Sequence, residues 1–476
     1  MKYALTLFVL LTWSVLISAQ NLDFSTPGAV ADDDYGYTRP RVVMANMIPL
    51  VVLNNQSTGE IFVARWNGSS FDQPVKVTPE GVKAAIDNWM GPDIASNGDD
   101  VYVIFKSEPE ASGYIYVVHS SDGGKTFGDT MRVNGDVNTR LPSIAVLGDG
   151  NPVVMFMQFQ PNFLEPEYVV AVSTDKGRTF SDFLTVSDNA PGEVCDCCPA
   201  ALVASGDTIA AFYRNNDNNI RDAWIALSTD GGKTFPMQQD IDENNWNIFS
   251  CPSTGPDAVF SGGKVITSWM SGAAGNPRIN FLEFDLGTQQ TSATAMIHTE
   301  GQGTFSQNYP RLAAFGSHKI MAWQDNRNNG WDVWISHTTN SPFITNKNVQ
   351  QVTNESGFQF NPDVAINNEK VFLVWQEPKA KEVKYVTAPL AAQSGISSPT
   401  VNLSFYPNPA EPGSLIQFEG AAILSTTIFD ARGKVVWSSE KSDHPGVIPT
   451  PEHPGIYILR IKFRDDVVAR QKLVVR

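Results

Sequence analysis

The chain has 476 residues, with 34 Lys+Arg against 50 Asp+Glu, a net charge of −16 at pH 7 and four cysteines. Residues 402–476 hold nine basic and eight acidic side chains, so the acidity resides almost wholly in the rest of the chain. That balance disfavours DNA or another polyanion as partner, because phosphate binding draws on clustered Lys and Arg.

The chain opens with MKYALTLFVLLTWSVLISAQ. A basic Lys2, an apolar run from Tyr3 to Ile17 and small residues at Ser18 and Ala19 predict a secretory signal peptide over 1–19. The run is shorter than the ~20 residues of a spanning helix, and no later segment is long and apolar enough to cross a bilayer. The expected mature protein is exported, without a transmembrane segment, where disulfides can form. Next comes ADDDYG, 31–36, which reads as an acidic surface loop, with calcium binding as the alternative.

From Pro40 one phrase recurs: Pro, an alternating apolar stretch, a turn, then a run ending in an aromatic or apolar residue. It starts at Pro40, Pro92, Pro142, Pro199, Pro256, Pro310 and Pro362. Each step has room for four short strands, and no window shows helical periodicity. An all-β propeller over 20–390 follows, with seven blades by repeat count. A strand from about 22–35 would complete the last blade. Six blades, with an irregular first unit, is the alternative.

Inside the repeat sits a second one: SSDGGKTF at 120–127, STDKGRTF at 173–180 and STDGGKTF at 228–235. The Asp accepts N–H groups of a hairpin turn, the Gly permits positive φ and the Phe anchors the turn. These octapeptides resemble the Asp box of sialidase-like, BNR-repeat propellers. Asp122, Asp175 and Asp230 are therefore read as structural. They lie between the third and fourth strands, on the face opposite the loops that enter each innermost strand.

Ligands of propellers usually sit over the central channel, which the loops before each Pro and after each second strand approach. Those loops carry Trp89, Arg140, Glu193, Arg214, Arg221, Tyr309, Arg311, Arg327 and Glu377. Several arginines and a Tyr around a channel suit an anionic or hydroxylated ligand. The sialidase resemblance implies three arginines on a sugar carboxylate and a Tyr nucleophile activated by a Glu. In this chain it points to Tyr309 with Glu193 as catalytic pair, and to Trp89, Arg140, Arg214, Arg311 and Arg327 as substrate contacts. The stretch YTRPR, 37–41, departs from the Phe/Tyr-Arg-x-Pro pattern of sialidases.

Cys195, Cys197 and Cys198 precede Pro199, and Cys251 precedes Pro256 at nearly the same place in the next unit. The two loops should meet at the channel mouth, with Cys251 bonded to at least one of the three clustered cysteines. Four cysteines permit three pairings. A thiolate site for copper or zinc and a redox-active pair are the alternatives to disulfides.

AAQSGISSPT, 391–400, reads as a small-residue linker within 391–401. Beyond it, TTIFDA, KVVWSS, GIYILRIKF and KLVVR alternate between turn signals, as in a small Ig-like β-sandwich over 402–476. YPNP (406–409), RGK (432–434), PGIYILRI (454–461) and KLVV (472–475) resemble the C-terminal sorting domain of the Bacteroidetes type IX secretion system. That resemblance implies the secretion machinery as partner and a secreted or surface location. Two functions fit: a propeller that binds a glycan or glycoprotein and hydrolyses it as a sialidase does, or a non-catalytic surface binding module, scaffold or adhesin.

Overall fold

The computed structural model describes residues 21–128, 130–297, 304–328, 330–339, 349–390, 404–419, 423–430, 434–439, 447–463 and 468–476. The expected signal peptide and linker lie outside them. The chain divides after Leu390 into two compact units.

The first unit is a seven-bladed β-propeller. Its first blade pairs Arg41–Ala45, Ile48–Asn55, Glu60–Arg65 and Val75–Lys76 in antiparallel order. Five antiparallel sheets follow, the fourth and fifth blades each with one additional short strand, and the seventh is completed by Gly28–Ala29, which pairs outside Glu382–Pro389. The first sequence repeat forms a full blade, so the six-bladed alternative falls. The closing strand must run close: a Cβ on Gly28 would lie 2.7 Å from the Tyr385 ring, and glycine alone avoids that clash.

Two-sided burial explains the continuous apolar runs of the second strands. Ile209, Ala211 and Tyr213 face a core shared with the third blade, and Ala210 and Phe212 one shared with the fifth. Side chains alternate across a strand, so a strand packed on both faces must be apolar at every position. The same alternation yields seven inter-blade clusters among the described residues, the last joining Val42, Val51 and Leu53 to Ala365, Val374 and Val383. Trp269, Trp323 and Trp375 lie two residues before the ends of the second strands of blades five to seven and are fully buried.

The second unit is a β-sandwich of a three-stranded and a four-stranded sheet around Ile416, Ile428, Ile448, Leu459, Ile461 and Leu473. Asn408, the Asn of YPNP, gives its two motifs a joint purpose. Its Nδ2 donates to the Lys472 carbonyl and its Oδ1 accepts from the Val474 N–H, both at 2.9 Å. The side chain thus stands in for a strand partner of the closing KLVV.

Candidate functional site at the channel mouth

The residue before four of the recurring prolines has a left-handed backbone: Arg39 (φ 47°), Leu141 (φ 53°), Tyr309 (φ 51°) and Asn361 (φ 48°). At three of these places the strand register also shifts, between Arg140/Ser143, Asn308/Arg311 and Phe360/Asp363. Such bulges bend a strand and re-aim its side chains, and left-handed non-glycine residues gather at functional sites. Arg39, Tyr309 and Asn361 line the mouth of the axial channel.

One position deeper, the residue after each Pro forms a belt. Asp93, Asp257 and Asp363 each receive the N–H of the next blade's innermost strand: Ile144 (3.4 Å), Leu312 (2.6 Å) and Val42 (2.9 Å). The last of these joins the seventh blade to the first. Ser143 donates to Asp93 (2.8 Å) and accepts from Leu202 N–H (3.2 Å). Arg311 bridges Asp257 (3.1 Å) and Asp363 (2.9 Å). Burial opposes its charge, but these carboxylates and Asp93 outweigh that and hold its pKa above the ordinary value. Burial pushes Asp257 up to about 6 against the pull of Arg311. The belt encloses a channel of about 380 Å³.

The arginines expected to meet a ligand are engaged by the protein. Arg311 belongs to the belt. Arg140 pairs with Glu110 and lies between the Trp89 and Phe163 rings, each centroid 4.9 Å away. Arg214 is fully buried and donates to the Arg221 and Met270 carbonyls, both at 2.6 Å. Arg327 pairs with Asp325 and packs over Phe305 and Trp334. Trp89 accordingly serves as a platform for Arg140.

Arg39, absent from the expected set, behaves differently. It is 9% exposed, and its backbone N–H donates to Gln376 (3.2 Å). Among the described residues its guanidinium alone, of the six at Arg39, Arg41, Arg140, Arg214, Arg311 and Arg327, has no acceptor from the protein. Burial, then Arg41 and Arg311, hold its pKa well below the usual value. Arg41 donates to the Pro40 carbonyl at 2.9 Å. The belt, not Arg39, leaves a mark in the sequence: the position after each Pro reads Arg41, Asp93, Ser143, Ala200, Asp257, Arg311, Asp363.

Tyr309 and Glu193 do not come together. Tyr309 lines the mouth from the sixth blade, where burial raises its pKa against the effect of Arg39. Glu193 is exposed in a two-residue bridge to Asn216 and Asn215 of the fourth blade. No hydrogen bond or ion pair joins them, so this geometry offers no Glu-activated nucleophile.

The cysteine loops do meet, and Gly255 packs so tightly on Pro199 that a Cβ would strike its carbonyl. The disulfide runs from Cys197 to Cys251, so one of the three clustered cysteines is bonded to Cys251 as expected. Cys195 and Cys198 remain buried thiols. Arg221 donates to the Cys195 sulfur at 2.9 Å. A hydrogen bond from Cys198, then Arg214 and Arg221, bring Cys195 down to about 6 despite burial. Burial pushes Cys198 well up. The sulfurs of Cys195, Cys197 and Cys198 lie within 4.8 Å of one another. With Cys197 bonded, they do not form a three-thiolate set for copper or zinc. ADDDYG forms a short 3-10 turn at Asp33–Tyr35 and belongs to neither cluster of ligand-type side chains found among the described residues.

On the opposite face the three repeated turns are nearly superposable in their bonding. Asp122 accepts from Ser120 Oγ, Lys125 N, Thr126 N and Thr126 Oγ1 at 2.6–3.0 Å. Asp175 and Asp230 repeat the Ser and Thr contacts.

Residues 404–476 match the family described as secretion system C-terminal sorting domain. The chain is therefore cargo of a secretion machinery, the type IX system, and reaches the cell surface or beyond. Among the described residues no helix is long and apolar enough to cross a membrane. No curated protein matches the chain. Similar solved structures include an unknown-function protein from Dyadobacter fermentans (TM-score 0.45, 11% identity, covering 78% of this chain and 99% of that one). PorZ, a surface component of the type IX secretion system of Porphyromonas gingivalis, is also similar (0.45, 12%, 94% and 60%). So is a Trypanosoma rangeli sialidase complexed with the inhibitor DANA (0.43, 10%, 90% and 83%). Likeness at this level carries no activity across to this chain.

Proposed function

We propose that the protein is an exported propeller that binds a carboxylate-bearing glycan at the channel mouth without hydrolysing it. The observation that carries this reading is Arg39. The residue is nearly buried, yet its guanidinium nitrogens have no protein acceptor and stay open to the channel, where an anion can meet them. A carboxylate fits its planar fork with two parallel hydrogen bonds. Tyr309 lines the same space as a neutral hydroxyl. Hydrolysis of the sialidase kind needs a Tyr activated by a carboxylate, and Glu193 sits elsewhere on the surface.

The test uses the full-length protein on an array of sialylated, uronic-acid and neutral glycans, with affinities by calorimetry. Acidic glycans should bind, and Arg39→Ala should weaken them about tenfold or more with an unchanged melting temperature. Fluorogenic sialosides and arabinosides should not turn over. Equal binding by Arg39→Ala would remove the anion site. Turnover that Tyr309→Phe abolishes would establish a hydrolase instead.

A further inference from the structure

A tie between two loops needs two cysteines, yet this one has two more thiols packed against it. We propose that the cluster is an internal thiol–disulfide exchange site, in which the Cys195 sulfur attacks Cys197 and releases Cys251 as a surface thiolate.

The geometry supplies each requirement of the exchange. The Cys195 sulfur lies 3.5 Å from that of Cys197, and the Cys198 sulfur 4.0 Å. The attacking species is a thiolate, favoured beside a cationic side chain, and Arg221 donates directly to Cys195 at 2.9 Å. Arg214 holds this arrangement from behind, since its carbonyl accepts the Cys195 N–H (2.8 Å) and its Nη1 bonds the Arg221 carbonyl (2.6 Å). Displacement at sulfur needs the leaving sulfur across from the attacker. Cys251 groups with Cys197 and an Asp196 oxygen, not with Cys195 and Cys198, so its sulfur stands farther from the attacker than that of Cys197. Cys195 and Cys198 are fully buried, whereas Cys251 is exposed.

The step balances without an oxidant. The Cys195 thiol gives its proton to solvent. Its sulfur then forms a bond to Cys197 as the Cys197–Cys251 bond breaks, and the electron pair leaves with Cys251. One disulfide is consumed and one is made. The charge passes from a buried sulfur to an exposed one, where water stabilises it. The loop keeps its ends: Trp246 N–H donates to Asp222 (3.0 Å), and Gly255 stays on Pro199. Only its tip, around Phe249 (84% exposed), is untied. The delivered group is a nucleophilic thiolate, suited to a disulfide or an electrophile on a partner.

The test treats the native full-length protein with iodoacetamide in the absence of reductant, then maps peptides under non-reducing conditions. Alkylated Cys251 and a Cys195–Cys197 disulfide should accumulate together, one of each per chain. Cys195→Ala should slow Cys251 alkylation by about tenfold or more, because its nucleophile is gone. Three results would overturn the proposal: wild-type Cys251 left unmodified, alkyl groups on both Cys197 and Cys251, or Cys251 modified equally fast in Cys195→Ala. Should Cys195→Ala fail to fold, the wild-type map decides alone.

Discussion

Two sets of aspartates, three in each, recur along the propeller and do opposite things. Asp93, Asp257 and Asp363 follow a Pro on the innermost strands, and each reaches into the next blade. Asp122, Asp175 and Asp230 sit in surface turns and bond within five residues of themselves. The environments split their acidities: burial raises Asp257 to about 6, while turn hydrogen bonds bring the surface three down to about 2. The same side chain, accepting the same N–H donors, closes the ring in one place and only shapes a hairpin in the other. What differs is desolvation and the span of chain that each bond joins.

The largest separation of the two sets should come from Asp363→Ala. It leaves the Val42 N–H without its acceptor and removes one of the two carboxylates that hold Arg311. Removing one partner of a buried pair costs about 3–5 kcal/mol. Asp122→Ala removes bonds that water replaces, and should cost about 1 kcal/mol or less. Urea denaturation followed by tryptophan fluorescence would compare them, and equal losses would erase the distinction. A smaller contrast lies in pH. Asp257 has a folded pKa above its unfolded 3.8, so the stability it contributes is fully present below pH 3.8 and lost as pH rises through about 6. Urea midpoints at pH 4.5 and 7.5 should show that loss in the wild type and a smaller one in Asp257→Asn. An unchanged loss would assign it to other groups.

The same contrast decides what could be read from the sequence. The surface turns were legible because every bond that their aspartates accept lies within one octapeptide. The blades were legible because two-sided burial imposes the same apolar run after each Pro, and the closing strand was expected near where Gly28–Ala29 lies. The belt was not, although its residues stand in register after the prolines, because Arg311 reaches Asp257 and Asp363 across 54 and 52 positions. That distance also misdirected the arginines. A loop position places Arg140 or Arg327 near the channel, but says nothing of Glu110 or Asp325 already holding them. The disulfide shows the limit most sharply: the meeting of two loops followed from the repeat, while the choice of Cys197 over its neighbours depends on side-chain direction.

The finest contrast is the acid limb of the surface turns. Thr126, Thr179 and Thr234 each donate a hydroxyl to the aspartate of their own turn, at 2.6, 2.7 and 2.7 Å. For Asp175 and Asp230 this hydroxyl is the leading cause of the depressed pKa, and for Asp122 it is the first to act against desolvation. A carboxyl whose folded pKa is depressed contributes stability that is present above its unfolded pKa of 3.8 and lost as pH falls through about 2. Replacing all three threonines by valine keeps the shape and the turn N–H donors while returning the carboxyls toward their ordinary acidity. The triple variant should therefore melt below the wild type at pH 5, and the gap should narrow at pH 3 and close near pH 2. These groups face water, so the effect should be a few degrees at most, well under that of Asp363→Ala. Thermal melts at the three pH values read it directly, and a gap that stays constant down to pH 2 would show that the hydroxyls act through packing and not through the carboxylate charge.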